Sequence, residues 1–152
     1  MQNVLIRKAT LADMSAIYDL VIALAVYENE PDAVVATLEE YQDNFQQNVF
    51  YASVAEAQGK VIGMALYYLT YSTWKGRMLY LEDFVVYEEY RRKGIGQLLF
   101  DATLATAKEM NCKLLKWQVL DWNEPALEFY RKNKAIIEKE WWNGKIFFDG
   151  GR

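Results

Sequence analysis

From Phe50 to Val86 the chain has room for little except strands. Phe50–Ala57 is strand-like, Gln58-Gly59-Lys60 is a tight turn, and Val61–Tyr71 is a long run of β-formers. Ser72–Gly76 turns the chain again, and Arg77–Val86 forms a third strand-like run. Connections this short join antiparallel neighbours, so the spacing predicts a three-stranded meander. Val4–Lys8 reads as an earlier strand. Thr10, with Asp13 three residues on, resembles a capping box. Ile17, Leu20, Val21 and Leu24 then follow at the spacing of a helix with one buried face, ended by Asn29-Glu30-Pro31-Asp32. Thr37–Gln46 is a second, shorter helix, and Gly94–Asn111 a third. Leu114–Leu120 reads as a buried strand. Asn123 caps a fourth helix with Pro125 in its first turn, running to about Asn133. Ile136–Trp142 and Ile146–Asp149 read as a closing hairpin about Asn143-Gly144. The order β-α-α-β-β-β-α-β-α-β-β predicts one α/β domain over 1–152. Its sheet would be mixed and mostly antiparallel, with about seven strands and about four helices.

Composition narrows the chemistry. The 152 residues include no histidine and one cysteine, Cys112. This excludes Ser-His-Asp and Cys-His nucleophile systems, a His-ligated metal, a Cys-rich zinc site and a disulfide framework. Acid–base work must fall to carboxylates, tyrosine, lysine or water. Lys plus Arg is 17 and Asp plus Glu 21, a net charge of −4, which disfavours nucleic acid and suits a cationic small substrate. The apolar start, Met1–Arg7, is too brief for a signal or a membrane span, so a cytoplasmic protein is expected.

The strand–helix junction Tyr90-Arg91-Arg92-Lys93-Gly94-Ile95-Gly96-Gln97 combines two glycines with three cations. Helix-initial N–H groups and the macrodipole favour an anion there. The loop lacks the Gly-Lys-Ser/Thr of a Walker motif and the third glycine of G-x-G-x-x-G, so a pyrophosphate with no metal requirement fits best. By spacing alone, a helix that merely begins with glycine beside a solvated basic turn fits equally well. Glu82 and Asp83 are paired acids inside an otherwise apolar strand. Alternation sends them to opposite faces unless a bulge intervenes. They could also be solvated acids on an edge strand.

Arg91-x-x-Gly94-x-Gly96, after a strand and opening a helix, resembles the acyl-CoA signature of the GNAT superfamily of N-acetyltransferases. Six blocks narrow the resemblance: Ile6-Arg7-x-Ala9-Thr10-x-x-Asp13, Leu24-Ala25-x-Tyr27-Glu28, Ala65-x-Tyr67-Tyr68-x-Thr70-Tyr71, Leu79–Phe84 with Val86, Tyr90-Arg91-x-x-Gly94-Ile95-Gly96, and Trp122-Asn123-Glu124-Pro125-x-x-x-Phe129-Tyr130. Together they are similar to the spermidine/spermine (diamine) N-acetyltransferase family, which includes enzymes acting on thialysine. The resemblance departs at Lys134, where the family carries glycine, and fades after Ala135.

The resemblance implies direct attack of an amine on acetyl-CoA in a ternary complex and a homodimer. It implies Glu82 as a base acting through water, Asp83 as a substrate anchor and Tyr130 as the acid facing the leaving thiol. Tyr27, Glu28 and Trp74 complete the expected amine end. Phe84, Val85 and Val86 are the expected site of a bulge whose free N–H groups meet thioester and pantetheine. Arg91, Arg92, Lys93, Gly94, Ile95, Gly96, Gln97, Asn123 and Lys132 are the expected cofactor contacts, with Arg131 a further candidate. A diamine or polyamine is the expected substrate, with an amino-acid side-chain amine such as thialysine, lysine or ornithine as the alternative. There Lys75 or Arg77 would face the substrate carboxylate. A silent acyl-CoA-binding regulator is the remaining alternative.

Overall fold

A computed structural model describes residues 3–148. The chain forms two compact units, Met1–Trp117 and Gln118–Arg152. In the first, β1 (Val4–Lys8), β2 (Tyr51–Ala57), β3 (Lys60–Ser72), β4 (Gly76–Val86) and β5 (Leu114–Trp117) form one sheet in the order β1-β2-β3-β4-β5. Every pairing is antiparallel except β4 with β5, which α3 (Ile95–Glu109) separates in sequence and which is parallel. The predicted meander is therefore present to within one residue at each end.

One face of the sheet carries α1 (Met14–Tyr27) and α2 (Leu38–Gln46). Met14, Ile17 and Leu20 are fully buried there against Val54, Met64, Leu66 and Val85. Each such side chain stabilises the fold by roughly 1.5–3 kcal/mol. The other face is covered by α3, whose Ile95 and Leu99 pack on Ala55, Ile62 and Val86. Gly63 lies under α3, where a Cβ would stand 3.3 Å from Leu99 Cδ1 and 3.0 Å from the Val85 carbonyl oxygen and Val86 Cγ2. The capping box is present: the Thr10 N–H donates to Asp13 Oδ2 at 2.8 Å, and Arg7 Nη1 donates to the same oxygen at 2.7 Å. The Arg7 guanidinium holds the Asp13 carboxyl below its ordinary range. Among the described residues no helix is long and apolar enough to cross a membrane.

Two expectations are corrected. β5 stops at Trp117 rather than Leu120, because its ladder with β4 ends at Leu81↔Trp117, one residue before β4 bulges. The closing hairpin is absent among the described residues, where 135–148 hold no strand; Asp149 lies outside them. Ile136, Trp142 and Ile146 are 86–94% exposed. A lone hairpin with no covered face is marginal in water. Asn143, the expected turn residue, instead accepts from Gln118 Nε2 at 2.7 Å. Among the described residues the sheet thus has five strands, not about seven, while the α/β class and the four α-helices stand.

The second unit holds α4 (Glu124–Lys132), which ends in a Schellman motif. The Ala135 N–H donates to the Tyr130 carbonyl and the Lys134 N–H to that of Arg131. The motif puts Lys134 at φ +63°, a left-handed conformation that favours glycine. The departure at Lys134 thus sits where the backbone itself asks for glycine. Replacement Lys134→Gly should stabilise the protein by about 0.5–1 kcal/mol, read as a higher urea midpoint with an unchanged slope.

Candidate active site

The β3–β4 register shifts at one point. Leu66 pairs with Asp83 and Tyr67 with Leu81, so Glu82 is an extra residue with no Cα partner on β3. Leu79 packs on the α3 face and Val85 on the α1–α2 face. Strict alternation would therefore divide the two acids between faces. The bulge turns both onto the α1–α2 face, where they line one cavity of about 360 Å³ with Val21, Tyr41 and Leu66. The bulge expected at Phe84-Val85-Val86 lies instead at Glu82. Phe84, Val85 and Val86 keep regular partners in Ala65, Met64 and Gly63.

The cavity is acidic and aromatic. Burial pushes the Asp83 carboxyl up to about 7, helped by the charges of Glu82 and Glu28. Glu28, half-buried, is itself raised by burial. It is the C-cap of α1, and Asn29 at φ +61° closes a Schellman motif there, with Glu30 N–H donating to the Ala25 carbonyl at 2.8 Å. Glu82 is exposed and accepts from Tyr68 OH at 2.6 Å. Tyr41 is pushed up to about 12 by burial and then by the charges of Asp83, Tyr18 and Glu82. Its ring meets that of Tyr18 edge-on at 5.1 Å. No Lys or Arg lines this cavity among the described residues. A smaller cavity of about 260 Å³ includes Lys8, whose Nζ is already bonded to Thr106 and Tyr67.

The basic loop lies just beyond β4. Gly94 is the N-cap of α3 at φ +79°, a left-handed conformation that favours glycine. A Cβ on Gly96 would stand 3.7 Å from Phe84 Cζ, an ordinary contact. Internal packing thus leaves space at Gly96 that a ligand can use. Arg91, Arg92 and Lys93 are exposed, and the N–H groups of Ile95, Gly96 and Gln97 belong to the open first turn of α3. Gln97 Nε2 donates to Asp101 at 2.9 Å. Arg91 does more than offer charge. Its Nε donates to the Val86 carbonyl at 2.9 Å, and its guanidinium lies 5.2 Å from the centre of the Tyr27 ring.

The structure therefore brings together Glu28, Glu82 and Asp83, and groups Tyr27 with Arg91. It does not bring Trp74 to the acids. Trp74 is 83% exposed in the turn between β3 and β4, about 20 Å along β4 from Glu82. Arg77 is likewise at the far end of β4, where Nη1 donates to the Met110 carbonyl. In the second unit, Asn123 accepts from the Ala126 N–H at 3.4 Å and Tyr130 is 7% exposed. Lys132 is 3.7 Å from Glu128, and Arg131 is 3.9 Å from Glu124. Sequence reading gave no role to Tyr18, Tyr41 or Tyr68. Tyr41 looks like a core residue of α2, and Tyr68 stands in a quoted block without a partner to mark it.

Ionised Asp83 is costly in its half-buried site beside Glu82 and Glu28. Its folded-state value near 7 exceeds the ordinary carboxyl value, so the stability of its neutral form is full below about pH 4 and is lost as pH rises through 7. Asp83→Asn should therefore melt higher than the parent at pH 8, by on the order of 5 °C, with the difference vanishing near pH 4. Equal melting temperatures at pH 8 would contradict this.

The sequence profile of the Acetyltransferase (GNAT) family matches residues 14–134. A thialysine N-epsilon-acetyltransferase from Bos taurus is 38% identical over 94% of this chain and 91% of its own. A spermidine/spermine N(1)-acetyltransferase-like protein 1 from Homo sapiens is 34% identical over 86% of this chain and 20% of its own. An aminoglycoside N-acetyltransferase solved in complex with CoA superposes with a TM-score of 0.78 at 15% identity, over 95% of this chain and 96% of its own. The chain belongs to the acetyltransferase (GNAT) family and is an N-acetyltransferase.

Proposed function

We propose that this protein, as one N-acetyltransferase domain over 1–152, moves an acetyl group from acetyl-CoA to a primary amine of a small diamine or polyamine. The observation that carries the reading is the cavity lined by Glu82 and Asp83, within the field of Glu28 and, among the described residues, without a lining cation. Carboxylates and tyrosine rings suit an alkylammonium by ion pairing and cation–π contact. The 34% identical spermidine/spermine N(1)-acetyltransferase-like protein supports this substrate class.

The first turn of α3 and the Arg91–Lys93 loop would hold the CoA pyrophosphate, which brings a thioester carbonyl open to attack by nitrogen. A free alkylamine has a pKa of roughly 10.4, so deprotonating it at pH 7.5 costs about 4 kcal/mol. Glu82, through water, takes that proton. Asp83 and Glu28 hold the cationic remainder of the substrate. As nitrogen bonds to the carbonyl carbon, the carbon–sulfur bond breaks, Tyr130 supplies the proton for the departing thiolate, and the second proton shed by nitrogen restores the phenol. Tyr130 keeps this role from the family resemblance. A homodimer in the cytoplasm completes the reading.

The identity to a thialysine acetyltransferase favours a second reading, acetylation of an amino-acid side-chain amine. Such a substrate carries a carboxylate, which the lining of this cavity would repel; Arg77 is committed elsewhere. A coupled thiol-release assay with putrescine, spermidine, spermine, thialysine, lysine and ornithine separates the two. The expected result is the highest kcat/KM on one of the first three. Turnover confined to the amino acids would replace the first reading with the second, and turnover of none would remove both. Tyr130→Phe should lower kcat tenfold or more; an unchanged kcat would remove the acid role.

A further inference from the structure

We propose that Tyr68 is a positioning residue for the acetyl-transfer reaction, its phenol clamping one oxygen of the Glu82 carboxylate so that the other meets the proton to be removed. The inference rests on the reading of Glu82 as the proton acceptor. A bulged residue is the least constrained position of a strand, and Glu82 has no Cα partner on β3. Its side chain is exposed and long, so holding it in one pose costs on the order of 1–2 kcal/mol of rotamer entropy. The O–H···O⁻ bond from Tyr68 to Oε1, at 2.6 Å, is short and charge-assisted, and offsets that cost. Oε2 is left for water or the incoming ammonium.

Tyr68 is itself fixed. It pairs with Tyr80 across β3 and β4, and the two rings stack at 5.5 Å and 29°. Burial and the bond to Glu82 raise its phenol above its ordinary range, so it stays a donor at every working pH. The groups that act on the Glu82 carboxylate are Asp83 and Tyr80 from β4, Tyr41 from α2 and Tyr68 from β3; behind them, Glu28 from α1 acts on Asp83 and Tyr18 from α1 on Tyr41. All of these are acids or phenols, and among the described residues no lining cation competes for the carboxylate.

The test is a cycle of Tyr68→Phe, Glu82→Gln and the double variant, assayed on the best amine. Tyr68→Phe keeps the ring stacked on Tyr80 and removes only the hydroxyl. Its kcat should fall about tenfold, with the acetyl-CoA KM unchanged. In the Glu82→Gln background the same change should cost less than about twofold, because the two residues act as one. Three results would overturn the proposal: a parental kcat for Tyr68→Phe, an equal loss in both backgrounds, or a rise in amine KM alone. A Glu82→Gln variant with parental kcat would remove the proton-acceptor reading first, and this inference with it. A damaged Glu82→Gln beside an intact Tyr68→Phe removes this inference only.

Discussion

One extra residue in β4 organises the active region. Without the bulge at Glu82, the paired acids would point to opposite faces of the sheet, one of them into the apolar layer beneath α3. With it, both open toward α1 and α2, and Tyr68 reaches the first of them. Downstream of the bulge the regular ladder resumes, so Phe84 and Val86 return to the α3 face while Val85 packs under α1. The parallel pairing with β5 ends just before the bulge. A single register shift thus sets where the sheet stops being continuous and where its acids emerge.

The charge of the protein is sorted along this same strand. Glu82 and Asp83 stand near its end, and the Arg91–Lys93 loop follows within ten residues. Arg91 ties the two regions together, binding the Val86 carbonyl and covering Tyr27, the residue before Glu28. The Schellman motif after Tyr27 then places Glu28 where its charge reaches Asp83. Crowding three carboxylates costs stability, which is visible in the upward displacement of Asp83. A bound polyammonium ion, the substrate class proposed above, would relieve that repulsion and turn the unfavourable electrostatics of the free protein into binding energy.

Much of the fold was legible because its signals are local. The meander follows from tight turns and β-rich runs, α1 from the spacing of Ile17, Leu20 and Val21, and the start of α3 from glycine at a junction that needs positive φ. Where a local signal needed a distant partner, reading failed. Asn143-Gly144 is a good turn dipeptide, yet its flanking residues find no ladder among the described residues. Trp74 shares a hairpin with the acids in sequence, but strand geometry carries it about 20 Å away. Tyr41 and Tyr68 carry no motif of their own; the packing of α2 over the sheet brings Tyr41 to the carboxylates, and the pairing of β3 with β4 brings Tyr68.

The sequence by itself determined the element order, the glycine-capped basic turn and the absence of histidine. Each is a property of composition or of short-range backbone preference. It also determined the family, through blocks whose order survives without coordinates. Only the tertiary structure decided the face on which Glu82 and Asp83 emerge. In a strand, a slip of one residue inverts every side chain beyond it, and no local preference records which partner residue a strand will skip.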